Sequence, residues 1–488
     1  MNGTDGFKSL IYAVRLPVLG RLAGRLALVL AFLCVPSLLV AVWYGEYVYL
    51  EAFAPVILVL LALARLSWHL PEPRQLLRSE GFVLTCGAFI LTPLLMAVAL
   101  WPSGLSWSDR ILETVSAVTT TGLSTVQHVQ GMSHTFLFTR SWMQWYGGLG
   151  VVVLSVAFLM PRSLAVSQLL ELPDGQDLVL AVGVYARRIL QVYLALTVLA
   201  VAVCWLCFGD FFSGLVHGFS AISTGGFSSR NDSLASLSFP AQLGVMLVGM
   251  LGAVSLAVYL RMRQRAWRSI ADNEELRFFI WLSVVLCAVL VLVSLLHHHR
   301  SEGEDWDNGI IMGLSAISTT GFANTSVATL SDTFKVLLMV GMFLGGCLGS
   351  TAGGFKAFRL LVVWQLLLTA LRRTSAPQHA VIEPRLQGKV LTQDQIQAAM
   401  LIGTLLVALC LLSWLPFLWY GYDPVNALFE VVSAVGTVGL SSGITSPDLE
   451  LPLKIVLCVD MVAGRVEVFA LLCLFYPGLW WGHKNPVS

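Results

Sequence analysis

Residues 116–124 read SAVTTTGLS, and this short stretch decides the fold because the chain repeats its pattern three more times. The later copies read SAISTGGFS at 220–228, SAISTTGFA at 315–323 and SAVGTVGLS at 433–441. All four fit S-A-[VI]-x-T-x-G-[LF]-[SA]. A pattern that returns at comparable intervals is typical of an architecture built from internal repeats.

The sequence around these copies has the composition of a membrane protein. Hydrophobic residues make up 57% of the 488 residues and charged residues 12%, whereas soluble domains average about 25% charged residues. A membrane-spanning helix needs about 20 mostly apolar residues. Such segments occur at 26–44, 52–70, 82–100, 136–160, 186–208, 240–260, 278–296, 334–371, 396–419 and 452–478. Shorter apolar segments, predicted to be re-entrant helices, occur at 108–118, 210–222, 307–317 and 425–435.

The placement of Lys and Arg predicts how the chain crosses the membrane. Most of the 29 basic residues fall on one side if the ten segments cross in turn. This bias places both termini in the cytoplasm and all four short segments on the outer side. Each short segment then leads into one copy of the pattern, which gives a unit of span, half-helix, loop and span.

The predicted fold is therefore an all-α polytopic membrane protein. It has four tandem span–pore-helix–filter-loop–span repeats around one pseudo-fourfold pore, plus two extra N-terminal transmembrane helices. The predicted boundaries are 1–79 for the N-terminal pair and 80–165, 166–270, 271–390 and 391–488 for the four repeats, the third of which contains an interrupted span.

The repeated loops have the chemistry of a potassium filter. A dehydrated potassium ion needs oxygens that replace its water, and rings of backbone carbonyls supply them. Glycine permits the φ/ψ values that turn carbonyls toward one axis, and each preceding half-helix directs its partly negative end inward. The alternative is that Gly and Ser only allow close helix packing, although packing does not explain the same pattern at matched positions.

At these loops the chain resembles the Trk/Ktr/HKT superfamily of potassium transporters, and in detail its bacterial TrkH-type membrane subunits. The resemblance covers residues 80–478 as the four-repeat body and includes the extra N-terminal pair. It implies potassium-binding carbonyls from Thr120, Thr121, Gly122, Thr224, Gly225, Gly226, Thr319, Thr320, Gly321, Thr437, Val438 and Gly439. A glycine in all four loops fits a potassium filter rather than the Ser-containing, sodium-conducting variants.

A second glycine-rich stretch interrupts the long segment 334–371. Five glycines within Gly345–Gly354 indicate a flexible break inside the membrane. A phosphate-binding loop is disfavoured because Phe355 follows and no βαβ setting exists. The stretch is similar to the family's intramembrane gating loop, although the family usually has an aliphatic residue at the position of Phe355. The implied gating residues are Gly345, Gly346, Gly349, Ser350, Thr351, Gly353, Gly354, Lys356 and Arg465.

Arg465 lies inside the last predicted span, 452–478. A charged residue at that depth costs about 2.5–3.5 kcal/mol on insertion scales and is a functional candidate by default. The resemblance implies that it acts as an electrostatic barrier below the filter. The alternative is a structural Arg that is paired with Glu467 or bonded to loop carbonyls.

The resemblance implies a potassium-selective uptake pore in the inner membrane of a bacterial cell, gated by the intramembrane loop and a cytosolic partner. Family members are homodimers on a TrkA-type ring of Rossmann nucleotide-binding domains. The expected ligand is therefore the potassium ion, with membrane lipid around the chain, the nucleotide on the partner and no organic cofactor of its own. The Arg-rich stretches 261–277 and 356–389 are candidate docking surfaces, unless they only satisfy the positive-inside bias. The alternative function is a potassium symporter coupled to sodium or protons.

Other classes of function have less support. An enzyme is not expected, since the spans carry no Cys/His zinc spacing and no convergent carboxylates. Nucleic acid is not an expected partner, because no basic run is interleaved with aromatic residues. Cys204 and Cys207 form C-x-x-C without the βαβ setting of a redox motif. The outer cluster His297–His299 is interpreted as a solvated loop, with metal binding or pH sensing as the alternative.

Overall fold

The protein, in a computed structural model, is almost entirely helical over the residues that the structure describes, which are 13–72, 77–154, 178–263, 272–297, 305–377, 379 and 382–481. The described part of the chain begins with α1 (Leu16–Leu33), α2 (Val35–Trp43) and α3 (Val48–Ser67). Helices α1 and α2 form one apolar stretch of 28 residues, and α1 packs along α3. This arrangement is the predicted N-terminal pair.

The first helix begins at Leu16, earlier than the predicted segment 26–44. Arg21 lies inside the helix because its guanidinium finds partners at the end of the neighbouring helix. It donates to the carbonyl of Ser67 at 3.1 Å and to the carboxylate of Glu72 at 3.2 Å. A long basic side chain can bury its stem in this way while its head reaches a polar boundary.

The described residues after α3 follow the predicted unit of span, short helix, loop and span four times. The first repeat contains α4 (Arg78–Ala99), α5 (Trp107–Val118) and α6 (His134–Leu154). The second contains α7 (Leu178–Phe208), α8 (Phe211–Ile222), α9 (Phe239–Ala253) and α10 (Leu256–Arg263). The third contains α11 (Glu274–His297), α12 (Trp306–Ser318), α13 (Asp332–Leu344) and α14 (Ala357–Thr374). The fourth contains α15 (Gln393–Trp419), α16 (Pro424–Val435), α17 (Leu451–Val466) and α18 (Val468–Phe475).

Three 3₁₀ turns (Trp101–Ser103, Val129–Gly131 and Val327–Thr329), one hairpin and one short helix complete the described chain. Strands β1 (Arg385–Leu386) and β2 (Lys389–Val390) form an antiparallel hairpin between the third and fourth repeats, in which Arg385 lies opposite Val390. Helix α19 (Pro477–Trp480) ends the described residues. The N–H of Val14 donates to the carbonyl of Leu479 at 2.9 Å, so the two ends of the described chain lie side by side.

The two spans of each repeat differ in continuity. Among the described residues, six helices are long and apolar enough to cross a membrane unaided: the N-terminal pair and the first helix of each repeat. The second helices are interrupted in repeats two to four. Helices α9 and α10 meet at 90°, residues 345–356 separate α13 from α14, and α17 passes into α18 at Glu467, whose φ is +65°.

The interruption within 334–371 is confirmed, but the plain spans predicted at 240–260 and 452–478 are wrong. Neither of those segments contains a glycine cluster at its break. Hydropathy alone does not distinguish a straight apolar helix from a bent or interrupted one. The first helix of each repeat thus forms an apolar exterior, while the second carries breaks that bring backbone and polar groups inside the molecule.

The short helices begin with polar caps and end buried. Ser106 caps α5 by accepting the N–H of Asp109, and Asp423 caps α16 by accepting the N–H of Asn426. Asp210 accepts the N–H of Ser213 at 2.8 Å, and this hydrogen bond lowers the pKa of the Asp210 carboxyl. Such caps fix where these three helices start.

The N-terminal pair is tied to the first repeat. The carboxylate of Glu46, in the connection between α2 and α3, accepts the N–H groups of His134 and Thr135, both at 2.8 Å, at the start of α6. At the other end, the indole of Trp142 donates to the carbonyl of Leu33 at 2.7 Å. These bonds hold the pair against the four-repeat body.

Candidate ion filter and gate

Each short helix ends in the same backbone turn. Four threonines at the fifth position of the pattern have positive φ, between 48° and 55°: Thr120, Thr224, Thr319 and Thr437. The N–H of the next residue donates to the carbonyl of the pattern's serine, as in Thr121 to Ser116 at 2.9 Å and Val438 to Ser433 at 2.9 Å. Left-handed backbone is unfavourable for a β-branched residue and costs about 1–3 kcal/mol at each site. Strain repeated at four matched positions indicates a functional constraint.

The glycines of the four loops close a ring. Each has positive φ, from 78° to 94°, at Gly122, Gly226, Gly321 and Gly439. A Cβ placed on each glycine would overlap a carbonyl oxygen of the following repeat, and the fourth returns to the first: Gly122 meets Gly225 O, Gly226 meets Thr320 O, Gly321 meets Val438 O and Gly439 meets Thr121 O. The twelve predicted filter residues, hereafter the ring, therefore surround one axis.

Among the described ring residues, solvent reaches only the level of the four glycines. The four glycines are partly exposed, while the eight remaining ring residues are buried. Because the glycines follow the threonines in the chain, access is from the side on which the loops leave the short helices. Helix packing alone does not require such a cyclic contact of backbone oxygens, so the geometry favours the filter interpretation over the packing alternative.

Three buried polar side chains brace the chain that follows the glycines. They lie three residues before the serine of each pattern and are here called the struts: Glu113, His217 and Glu430. Glu113 accepts the hydroxyl of Ser124 at 2.5 Å and the N–H of Thr125 at 2.8 Å. Glu430 repeats these contacts in the fourth repeat, with Ser441 Oγ at 2.7 Å and Ser442 N at 2.9 Å.

The second strut is a histidine. Nδ1–H of His217 donates to the carbonyl of Ser213 at 2.8 Å, and its Nε2 lies 2.9 Å from the hydroxyl of Ser228. The third repeat has Met312 at this position, and its loop is held instead by the amide of Asn324, which donates to Asn308 Oδ1 at 2.7 Å. The sequence prediction missed the struts, although their constant offset from the pattern was a usable signal.

The interrupted third span folds into a buried hairpin beneath the ring. Residues 345–356, hereafter the intramembrane loop, return on themselves, since Phe355 N donates to Phe343 O and Lys356 N to Leu344 O, both at 2.8 Å. Gly345, Gly349 and Gly354 have positive φ. The predicted gating residues of this segment therefore lie in one hairpin.

The tip of this loop touches the threonine level of three ring segments. The hydroxyl of Thr224 lies 3.4 Å from the hydroxyl of Thr351, and Gly353 N donates to Thr319 Oγ1 at 2.9 Å. A Cβ on Gly353 would overlap Thr437 Oγ1. The intramembrane loop therefore lies against the end of the ring opposite the glycines.

Arg465 contacts the same loop from α17. Its Nη1 donates to the carbonyl of Thr351 at 2.6 Å, and the side chain is buried. Glu467 instead pairs with Arg359, so the predicted alternative pairing of Arg465 with Glu467 is not found, whereas its bond to a loop carbonyl is. In the described part of the chain, Nε and Nη2 of Arg465 have no hydrogen-bond partner.

The space next to Arg465 is small and cationic. The cavity lined by Gly353, Lys356, Arg359, Arg465 and Glu467 measures about 10 Å³, which is room for roughly one water molecule. Three basic side chains and one acid thus surround it.

The structure also bears on several other features of the sequence. The nine cysteines, among them Cys204 and Cys207, are free. The cluster His297–His299 lies outside the described side chains, as does much of the Arg-rich stretch 261–277. No group of His, Cys, Asp or Glu suited to a metal ion occurs among the described residues.

Comparisons with known proteins agree with this geometry. Residues 50–479 match the family model TrkH, described as a cation transport protein. The Trk system potassium uptake protein TrkH of Escherichia coli is 27% identical over 460 residues, 88% of this chain and 92% of that protein. TrkH of Vibrio parahaemolyticus is 28% identical over 94% of this chain and 98% of its own length. The crystal structure of the potassium transporter TrkH from Vibrio parahaemolyticus has a TM-score of 0.84 at 26% identity, covering 96% of this chain and 100% of that chain.

Proposed function

The chain belongs to the TrkH family of cation transport proteins, and on that premise we propose that it is a potassium-selective uptake pore closed by its own intramembrane loop. The observation that carries the proposal is the cyclic contact of the four loops, in which each glycine abuts a carbonyl of the next repeat. Only such a ring can offer oxygens to one ion from every side.

Potassium is the ion that this ring fits best by its chemistry. Its oxygens are uncharged backbone carbonyls, which replace the water of a weakly hydrated cation without trapping it. The four short helices end at the ring, and their carboxyl-terminal dipoles favour a cation there. The proposed potassium ligands are the carbonyls of the twelve ring residues.

Closure is proposed to depend on two contacts below the ring. The intramembrane loop fills the path at the threonine level, and Arg465 fixes the loop by its bond to the Thr351 carbonyl. Opening requires the loop to leave the axis together with the guanidinium charge. A cytosolic TrkA-type ring with nucleotide-binding domains is the proposed source of that movement, acting on a homodimer in the bacterial inner membrane with both termini in the cytoplasm.

The test of this function is ion flux through purified protein in liposomes. Rubidium uptake that potassium competes for, and that sodium does not, is the expected result. Reversal of current at the potassium equilibrium potential supports a channel. Reversal that also shifts with a sodium or proton gradient supports the symporter instead, and uptake without any preference for potassium contradicts both.

The struts provide a prediction for selectivity. Glu430→Gln keeps the shape of the side chain but turns an N–H toward the N–H of Ser442, and charge-assisted hydrogen bonds worth about 1.5–3 kcal/mol are lost. We expect the potassium-to-sodium permeability ratio to fall about three- to tenfold, because part of that energy holds the loop in place.

The matched control is Met312→Leu, at the same position of the third repeat, where the side chain is buried and apolar. It is expected to keep the wild-type ratio in the same liposome assay. Equal ratios in the two variants would show that the strut position does not support the filter.

A further inference from the structure

The ring has one irregular position at the boundary between the first and second repeats. The residue before the glycine is Thr121, Thr320 and Val438 in three loops, but it is Gly225 in the second loop. Gly225 lies against the carboxamide of Gln144 on α6, and a Cβ there would come 2.6 Å from Oε1 and 2.7 Å from Nε2. The side chain that the other loops carry has been replaced by one from the neighbouring repeat.

The next boundary shows the reverse arrangement. Here the ring residue is Thr320, and the helix that faces it offers Gly249, whose added Cβ would lie 2.5 Å from Thr320 Oγ1. A large helix residue thus faces a glycine at one boundary, and a helix glycine faces a large ring residue at the next. The pairs Gln144–Gly225 and Gly249–Thr320 fill equivalent spaces, but the large residue is on the helix in the first pair and in the ring in the second.

Gln144 and Gly249 occupy equivalent positions, because each has the same offset from a helix glycine that packs on the end of a short helix. Gly147 packs on the carbonyl of Val118, and Gly252 packs on the carbonyl of Ile222, each at the end of the short helix of its own repeat. Gln144 precedes the first glycine by three residues, and Gly249 precedes the second by three. The same offset from Gly464 gives Met461 in the fourth repeat.

Gln144 does more than fill this space, because it donates a hydrogen bond into the ring. Its Nε2 bonds the carbonyl of Gly225, which is the carbonyl that Gly122 abuts. The carbonyl can only accept, so the nitrogen of the carboxamide must face it. The side chain is fully buried, and a buried hydrogen bond of this kind is stronger than one exposed to water.

We propose that Gln144 is a positioning residue for ion selectivity, because its carboxamide fixes the direction of the Gly225 carbonyl in the ring. This proposal rests on the potassium-pore function proposed above. An N–H that donates to a coordinating carbonyl limits the movement of that carbonyl and reduces the negative charge that its oxygen offers to the ion. The first-to-second boundary is therefore the stiffest and least negative quarter of the ring, and it opposes contraction around the smaller sodium ion.

The first test is Gln144→Met, which keeps the volume of the side chain, removes the donor and matches Met461. Full-length protein in liposomes is assayed for rubidium uptake in competition with potassium and with sodium. Loss of one neutral hydrogen bond predicts a fall of about two- to tenfold in the potassium-to-sodium ratio. An unchanged ratio overturns the proposal, because a purely packing role would not move it.

The second test exchanges the partners. Gly225→Thr alone places a side chain on Gln144 and is expected to abolish uptake. Adding Gln144→Gly recreates the Gly249–Thr320 arrangement and is expected to restore uptake, with the lowered ratio of Gln144→Met. A double variant no better than Gly225→Thr contradicts the pairing.

Failure of the inference and failure of the proposed function give different results. If the wild-type protein shows no preference for potassium, the proposed function is wrong, whatever the variants do. If the wild type prefers potassium and Gln144→Met has the same preference, only the proposed role of Gln144 is wrong.

Discussion

Gly321→Ser is expected to remove most of the preference for potassium over sodium. Gly321 has φ +80°, and an added Cβ would overlap the carbonyl of Val438 in the next repeat. Left-handed backbone costs a non-glycine residue about 1–2 kcal/mol, and the overlap forces the Val438 carbonyl off its direction. Together these effects destabilise the potassium-bound ring by at least about 3 kcal/mol, so the potassium-to-sodium permeability ratio is expected to fall about a hundredfold.

The control for this variant is Gly104→Ser. Gly104 has φ +75°, close to that of Gly321, but its Cβ would meet nothing within 4 Å. The backbone strain is therefore similar while the ring is untouched, and wild-type selectivity is expected. Equal ratios for Gly321→Ser and the wild type in liposomes would mean that the ring does not select the ion.

Arg465→Ala is expected to open the pore in the absence of any cytosolic partner. The variant removes the charge below the ring and the bond that holds the loop at Thr351. A hydrogen bond to a charged group is worth about 1.5–3 kcal/mol, so the closed state loses about ten- to a hundredfold in population. Basal rubidium uptake into liposomes should rise by a similar factor.

Lys389→Ala removes the same charge from the exposed β2 strand and serves as the control. Its basal uptake is expected to match that of the wild type. Wild-type basal uptake in Arg465→Ala, with the protein correctly inserted and opened by its partner, would leave Arg465 a structural residue.

The positions of the four loops can be read from the sequence, because each repeat carries the same pattern at the end of a short apolar segment. A glycine after a threonine at the end of a short apolar helix can only be explained by an unusual turn, and four copies imply fourfold contact. The strain itself is less visible, since nothing in the letters shows that Thr120 and its three equivalents take positive φ. In each loop that conformation accompanies the hydrogen bond from the next residue back to the serine of the pattern.

Features that depend on contacts between distant segments could not be predicted. The last span breaks at Glu467, which has φ +65° and whose carboxylate pairs with Arg359 of α14. The irregular Gly225 is plain in the sequence, but its cause is a side chain from another repeat. Hydrophobic periodicity indicates which residues are buried, but it does not indicate which buried residues contact each other.

The central claim is that carbonyls from all four repeats coordinate one potassium ion on the ring axis. The most direct measurement is the structure of the purified protein in rubidium, with the ion located by its anomalous scattering. One peak on the axis, in contact with the carbonyls of Thr121, Gly225, Thr320 and Val438, and its loss when sodium replaces rubidium, is the predicted result. A peak held by one or two loops, or an ion bound elsewhere with the ring empty, would contradict it.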